Sequence, residues 1–305
     1  MTPPIDQQRQ RLSSKSIGSL FSLFSLFCIL FSFASINNEF TVASHNLHSF
    51  KKSSIFHKQC IQTNPGLWFA QELWLPENRL TNMSELGVQF VARSGMEDAY
   101  SSGIYSGRPH GGVSIAWSPE MDYIVKPLIN NCHKRVVCVE ITAKPTNILF
   151  ANVYMPFYDT SRRQECMADS LEVITMLEEI LVDHPLHRLV LGGDFNTEFT
   201  DSSPLDHLWR DFIKQHNLVC CDKYNNNNRP YTYIHNSLNQ KKWNDHFFIS
   251  SSLVQSSVSH MIVDVGDNPS DHLPISLRLS VETTAAPVQD ESITRVPIAE
   301  QYNQL

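Results

Sequence analysis

Short apolar runs that stop at polar residues constrain this chain more than any other feature. They recur at Phe40–Ala43, Leu67–Gln71, Val88–Ala92, Gly112–Trp117, Arg135–Ala143 and Asn147–Tyr154. Further runs follow at Arg188–Leu191, Asp245–Ser250, Met261–Val265 and Pro274–Val281. Near-continuous apolarity over so few residues predicts strands buried on both faces. Two stretches read as helices. Ser161–Asp183 opens with Ser161-x-x-Gln164, a capping-box pattern, and puts Met167, Leu171, Ile174, Leu177 and Leu181 on one face before Pro185 stops it. Leu205–His216 turns Leu208, Phe212 and Ile213 inward, while Asn225–Asn228 and Ser237–Lys242 read as polar loops. Many strands with few helices predict a layered α/β body of two stacked sheets flanked by helices.

The 305 residues divide into three parts. Residues 1–36 are a polar start followed by the uncharged stretch Ile17–Ile36, residues 37–283 form the folded domain, and 284–305 are a polar tail expected to be disordered. Twenty uncharged residues make roughly 30 Å of helix, enough to cross a bilayer. Basic Arg9, Arg11 and Lys15 ahead of them also fit a secretory signal, and the repeated Ser-Leu-Phe fits plain low complexity. Membrane association through 17–36, or the secretory route, follows if this leader is used, and a nuclear location if it is not. In the secretory route Asn82-Met83-Ser84 becomes a glycosylation candidate. The seven cysteines are no disulfide scaffold in a chain this long, and no CxxC or Cys/His spacing reads as a zinc site. With 24 basic against 31 acidic residues the net charge is −7, which argues against a binder that simply neutralises many phosphates. A divalent cation between carboxylates and a phosphate removes that objection.

Polar residues capable of such chemistry stand where the predicted strands end. Asn46 follows Thr-Val-Ala-Ser-His, Glu72 follows Leu-Trp-Phe-Ala-Gln, and Tyr154 closes Leu-Phe-Ala-Asn-Val. Asp194 and Asn196 follow Leu-Val-Leu-Gly-Gly, Asp245 opens His-Phe-Phe-Ile-Ser, and Asp271-His272 precedes Leu-Pro-Ile. Strand termini distant in sequence can converge on one sheet edge. Carboxylates, carboxamides, a phenol and an imidazole together suit a hard cation and a phosphate ester. Gly192-Gly193 is expected to turn the backbone sharply and present Asp194 and Asn196.

In order along the chain stand SHN, QE, GGV, NVYMP, GGDFN, an Asp-led apolar strand and SDHLPI. On these blocks Phe40–Val281 resembles the endonuclease/exonuclease/phosphatase superfamily, which includes DNase I, abasic-site endonucleases and the endonucleases of non-LTR retrotransposons. FAQELWLPE and GGVSIAW are nearest in texture to the retrotransposon endonucleases. The resemblance implies a four-layer α/β/β/α sandwich and a Mg²⁺-dependent phosphodiesterase, with Mn²⁺ as the alternative metal. By the same resemblance Glu72 is the principal metal ligand, Asn46 holds that ligand or the attacking water, and Asp271 completes the metal shell. Asp194 positions and deprotonates water, and Asn196 bonds a phosphate oxygen or Asp194. Tyr154 donates to the phosphate. Asp245 orients His272 and keeps it protonated, so that it stabilises the transition state; the other assignment makes His272 the base.

Two departures from the family pattern bear on this. His48 stands where abasic-site enzymes carry an Asp, and Asn244 stands where an apolar residue usually begins the strand, which is expected to disturb the Asp245–His272 pair. The expected activity is nicking of DNA by an endonuclease of retrotransposon type. Two alternatives remain open: a secreted or membrane-associated DNase I-like or sphingomyelinase-like phosphodiesterase, and a catalytically decayed element. DNA is the expected partner, with Arg229, Tyr231, Lys241 and Lys242 as weaker substrate contacts; no protein partner is implied.

Overall fold

In the computed structural model the described residues are 36–63, 66–96, 110–200, 203–222, 230–235, 237–263 and 267–283. The expectations for the leader up to residue 35, the tail from 284, Cys28, Asn225–Asn228 and Arg229 lie outside them. Ile36, expected in the leader, instead begins the first strand. Among the described residues no helix is long and apolar enough to cross a membrane.

The strands in chain order are β1 (Ile36–Asn46), β2 (Gly66–Gln71), β3 (Gln89–Arg93), β4 (Val113–Trp117), β5 (Val125–Pro127), β6 (Val136–Ile141), β7 (Ala143–Lys144) and β8 (Ile148–Tyr154). They continue as β9 (Arg188–Asp194), β10 (Leu218–Cys220), β11 (Tyr233–His235), β12 (Gln240–Lys242), β13 (Asp245–Ser250), β14 (Ser257–Ile262) and β15 (Ile275–Thr283). One sheet runs β14-β15-β1-β2-β4-β3, with β7 beside β15, and the second runs β10-β13-β9-β8-β6-β5. Both sheets have the same centre. A parallel pair, β1/β2 in one and β8/β9 in the other, is flanked by antiparallel neighbours.

Three apolar clusters fill a four-layer α/β/β/α sandwich, as the motif order implied. Between the sheets lie Phe40, Val42, Leu67, Phe69 and Ile115 from the first and Val139, Phe150, Val190, Phe247 and Ile249 from the second. Helix α1 (Phe50–Thr63) covers the outer face of the first sheet, where Phe56 and Ile61 meet Trp68, Ala70 and Ala116. Helices α2 (Arg163–Asp183) and α3 (Pro204–Gln215) cover the second, with Val173, Leu177, Trp209 and Phe212 against Leu149, Leu191 and Phe248.

Several local expectations are corrected. Helix α1 was not anticipated, because Ser53 and His57 occupy two of its buried positions and blur the apolar period. The Ser161/Gln164 box does not form: Asp159 accepts from the Ser161 amide, a 3-10 turn spans Thr160–Arg162, and α2 begins at Arg163. The buried face of α2 is Cys166, Ser170, Val173, Leu177 and Ile180, which leaves Leu171 exposed. A true capping box stands instead at Ser203 and Asp206 on α3. Ser237–Lys242 is no plain loop, since Gln240–Lys242 pairs with Tyr233–His235 as a hairpin. Of the strand expected over Met261–Val265, positions 264 and 265 lie outside the described residues, and the strand described there is Ser257–Ile262. All six described cysteines are free thiols.

Candidate functional site

Side chains on a strand alternate between faces, and that rule builds the site. In β1 the inward series runs Phe40, Val42, Ser44, Asn46; in β2 it runs Leu67, Phe69, Gln71. In β8 it runs Ile148, Phe150, Asn152, Tyr154, in β9 Val190, Gly192, Asp194, and in β13 Ile249, Phe247, Asp245. Each apolar column between the sheets therefore ends in a polar residue at the same mouth. Register confirms the meeting: Asn46 pairs with Gln71, Tyr154 with Asp194, and Asp194 with Asp245.

Gly192 and Gly193 do not turn the chain there; β9 runs through both to Asp194. Gly192 is required because a Cβ would lie 2.4 Å from the Phe247 ring. At Gly193, with φ +138°, a Cβ would lie 2.0 Å from the Val153 carbonyl oxygen. The sharp change comes three residues after Gly193, with Asn196 at φ +50°. Glu72, His48 and Trp74 also take the left-handed region that non-glycine residues avoid. Such backbone persists only where its surroundings over-determine it, and at this mouth four examples stand together.

The polar groups form one connected set. Asn46 Nδ2 donates to Asp194 Oδ2 at 2.9 Å, and the Asn196 amide donates to Asp194 Oδ1 at 2.9 Å. The Asn196 carboxamide also donates to the Met155 carbonyl at 2.8 Å. His272 Nδ1 meets Asp245 Oδ2 at 2.8 Å, while its Nε2 faces Asp194 Oδ2 at 3.8 Å. The Tyr154 hydroxyl donates to Glu72 Oε1 at 2.8 Å. Asp194 and Asp245 are wholly buried and His272 nearly so.

Burial pushes the Asp194 carboxyl up to about 7 against the pull of the His272 charge. Burial alone would lower His272, but Asp245 and then Asp194 and Asp271 carry it up to about 10, so it is an imidazolium at neutral pH. Tyr154 is raised by burial, Glu72 and Asp194, and stays a neutral donor. The polar Asn244 does not disturb the Asp245–His272 pair. Its backbone takes up the position, the amide donating to Thr232 Oγ1 at 3.0 Å and the carbonyl accepting from the Phe195 amide.

Asp271 reaches the mouth by a different contact, with Oδ1 2.8 Å from His48 Nδ1. Burial would raise this carboxyl, yet His48 and His272 hold it below its usual range. The His48 ring in turn stands edge-on to Trp74 at 4.7 Å. Of the weaker contacts, Lys241 stacks on Tyr231 at 4.5 Å and Lys242 lies over the exposed Phe157 at 5.3 Å. Their hairpin borders the site directly, since Tyr233 bridges to His272 in the backbone and its ring lies 4.8 Å from the imidazole.

Asp194, Asp245 and His272 also bring donor atoms within 4.8 Å of one another, but an imidazolium already bonded to a carboxylate repels a cation. Glu72 fits one better. One of its oxygens accepts from Tyr154, which leaves the other for a ligand, and carboxylate oxygen suits a hard ion.

The sequence profile of the Endonuclease/Exonuclease/phosphatase family matches residues 43–272. The chain belongs to that family. Membership supports hydrolysis of a phosphate ester, of nuclease or phosphatase type. A Neisseria 3′ phosphatase, NExo, solved with a product DNA hairpin, is similar at 16% identity and TM-score 0.60, over 79% of this chain and 99% of that one. The abasic-site endonuclease LMAP of Leishmania major is similar at 14% and 0.64, over 79% and 88%. The endonuclease domain of TRAS1, a telomere-specific non-LTR retrotransposon, is similar at 13% and 0.57, over 79% and 98%. At these identities the likeness shows the shared fold. No curated protein sequence is matched significantly.

Sequence reasoning missed the residues that hold this family site rigid. Thr232 Oγ1 accepts from the amides of Asn244 and Asp245, and its carbonyl accepts from Leu273. A lone threonine between tyrosines carries no signal of that. Ser270 Oγ donates to the Asn46 carbonyl at 2.6 Å and accepts from the His272 amide. His45, held near 3 by burial and so neutral, has Nε2 3.3 Å from the His272 carbonyl. Asn152 joins the sheets: it donates to the carbonyls of Ala70 and Ser114 and accepts from Gln71 at 2.6 Å. Its place in NVYMP and that of Gln71 in QE were the available signals.

Proposed function

We propose that this protein is a divalent-metal-dependent phosphodiesterase that nicks duplex DNA, an endonuclease of retrotransposon type, with residues 37–283 as its working unit. The observation that carries the reading is the buried chain Asn46–Asp194–His272–Asp245 beside the Glu72–Tyr154 pair. Mg²⁺, or Mn²⁺ in its place, would be held by Glu72 with Asn46, and Asp271 would complete the shell from the His48 side. The metal would polarise a phosphate oxygen and neutralise charge.

The remaining work falls to this chain's own side chains. Asp194, held near neutrality by burial, orients a water between itself and the phosphorus and accepts its proton. Asn46 and Asn196 fix that carboxylate by their amide donors. His272, kept cationic by Asp245, sets positive charge against the pentacovalent transition state. In this reading it keeps its proton, and the base role falls to Asp194. Tyr154 donates to a phosphate oxygen once substrate draws it from Glu72. Tyr231, Lys241 and Lys242, on the hairpin beside His272, would contact flanking backbone. DNA as substrate is supported by relatives solved with DNA or named for acting on it.

The test is relaxation of supercoiled plasmid by the full-length protein. Mg²⁺-dependent nicking, abolished by EDTA and lowered at least about 10³-fold in Asp194→Asn and His272→Ala, is the expected result. Folded, metal-supplied protein that leaves plasmid intact but cleaves a phospholipid diester would replace DNA with lipid as substrate. Inactivity on both would mark a decayed element.

A further inference from the structure

On the outer face of the second sheet, a group of ligating side chains takes no part in the site above. Cys220 ends β10 and Asp222 stands two residues on, past a bend, and His246 lies across from them: Cys220 pairs with Phe248, and the Cys221 amide bonds the Phe247 carbonyl. The Cys220 sulfur, an Asp222 oxygen and a His246 ring nitrogen all lie within 4.8 Å of one another. His246 Nδ1 is 2.6 Å from Asp222 Oδ2, and its Nε2 is 2.8 Å from the Thr197 carbonyl. The other Asp222 oxygen, Oδ1, is buried with no partner. The rings of Phe195, Phe199 and Phe248 surround the imidazole.

We propose that Cys220, Asp222 and His246 form a second metal centre, specific for Zn²⁺ and separate from the hydrolytic site. The Thr197 carbonyl fixes the tautomer: Nε2 carries the proton it donates, leaving Nδ1 as the ligand atom. A metal-bound histidine commonly has its second nitrogen anchored in this way. A thiolate, a carboxylate and an imidazole are a zinc-type donor set, whereas Mg²⁺ takes oxygen alone. Zn²⁺ would displace two protons, one from the Cys220 thiol and one from His246 Nδ1, both returned to water. Without the ion, that second proton is what holds Asp222 and His246 together, and burial keeps the thiol protonated. A cysteine nucleophile is the wrong reading, because Asp222 already holds one ring nitrogen of His246 and the Thr197 carbonyl the other. The three donors come from β13, the end of β10 and the turn after it, so no Cys/His spacing could announce them. Since His246 follows Asp245, the ion would brace the start of β13 from outside.

Cobalt substitution tests this. Full-length protein loaded with Co²⁺ should absorb in the near-ultraviolet through thiolate-to-cobalt charge transfer. Neither the Glu72 site nor the Glu140–His184–His187 group, on β6 and the turn after α2, can produce that band, since neither contains sulfur. The band should survive Glu72→Gln and Cys132→Ser and vanish in Cys220→Ser. Zn²⁺ should abolish it at one equivalent, and Asp222→Asn should weaken Zn²⁺ binding by more than the roughly 10–100-fold that loss of an orienting partner costs. If His246→Asn fails to fold, the Cys220 and Asp222 variants still decide. No charge-transfer band in folded protein, or a band that persists in Cys220→Ser, overturns the proposal.

Discussion

Replacing Gly192 by alanine tests how the two sheets set the site. The new methyl carbon would sit 2.4 and 2.5 Å from two carbons of the Phe247 ring and 3.3 Å from Phe69. Ordinary carbon contact is about 3.5–4.0 Å, so the ring must retreat by about 1 Å. It has nowhere to go. Phe247 is fully buried, with the Phe69 ring 6.0 Å away centre to centre. Overpacking of this kind costs about 1–3 kcal/mol. Because Gly192 faces Phe247 one inward step below the Asp194–Asp245 pair, the strain should also part those carboxylates. A misplacement of about 1 Å can cost roughly 10²-fold in rate. Urea unfolding should show a lower midpoint with unchanged slope, and plasmid nicking should fall with it. Gly192→Ala combined with Phe247→Leu should recover most of the stability, a coupling readable by a double-mutant cycle. A single variant within about 0.5 kcal/mol of the parent, or a double variant no better than the sum of its parts, would refute the packing argument.

Asn152→Ala should destabilise by about 2–4 kcal/mol in the same unfolding assay, since it strips buried partners from the Ala70 and Ser114 carbonyls and from Gln71. Tyr154→Phe should change stability by no more than about 1.5 kcal/mol yet lower kcat in nicking, the hydroxyl bond to Glu72 being the part lost. For metal-free protein, both large shifts have the same sign with rising pH. Asp194, raised from 3.8 to about 7, makes folding less favourable as pH climbs through that interval. His272, raised from 6.5 to about 10, contributes stability that is whole below 6.5 and lost by about 10. Melting temperature should therefore fall from pH 5 to pH 9, and Asp194→Asn should flatten the part below 7.

Much of this was readable in the residues, and the failures have physical reasons. The mouth was legible because polar groups gathered at one sheet edge must interrupt apolar strands, and Asn46, Tyr154, Asp194 and Asp245 do so in the inward register. Glycine at 192 and 193 was noticed for the wrong property: the sequence shows missing side chains but not the Phe247 ring and the Val153 carbonyl, from distant strands, that need the space. Helix α1 was hidden because Ser53 is buried while donating to the Leu47 carbonyl, and so reads as surface. Thr232 carried no signal, and the backbone contacts of Ser270 and His45, though both residues stand in the SDHLPI and SHN blocks, were hidden for a related reason. Each acts through backbone groups of residues it does not adjoin in sequence.

The pairing of β1 with β15 has one more implication. A working mouth requires strands from both ends of the polypeptide, so neither half severed from the other should retain any turnover. Heat should accordingly extinguish cleavage and cooperative structure along a single curve, without an interval in which a folded remnant still cuts.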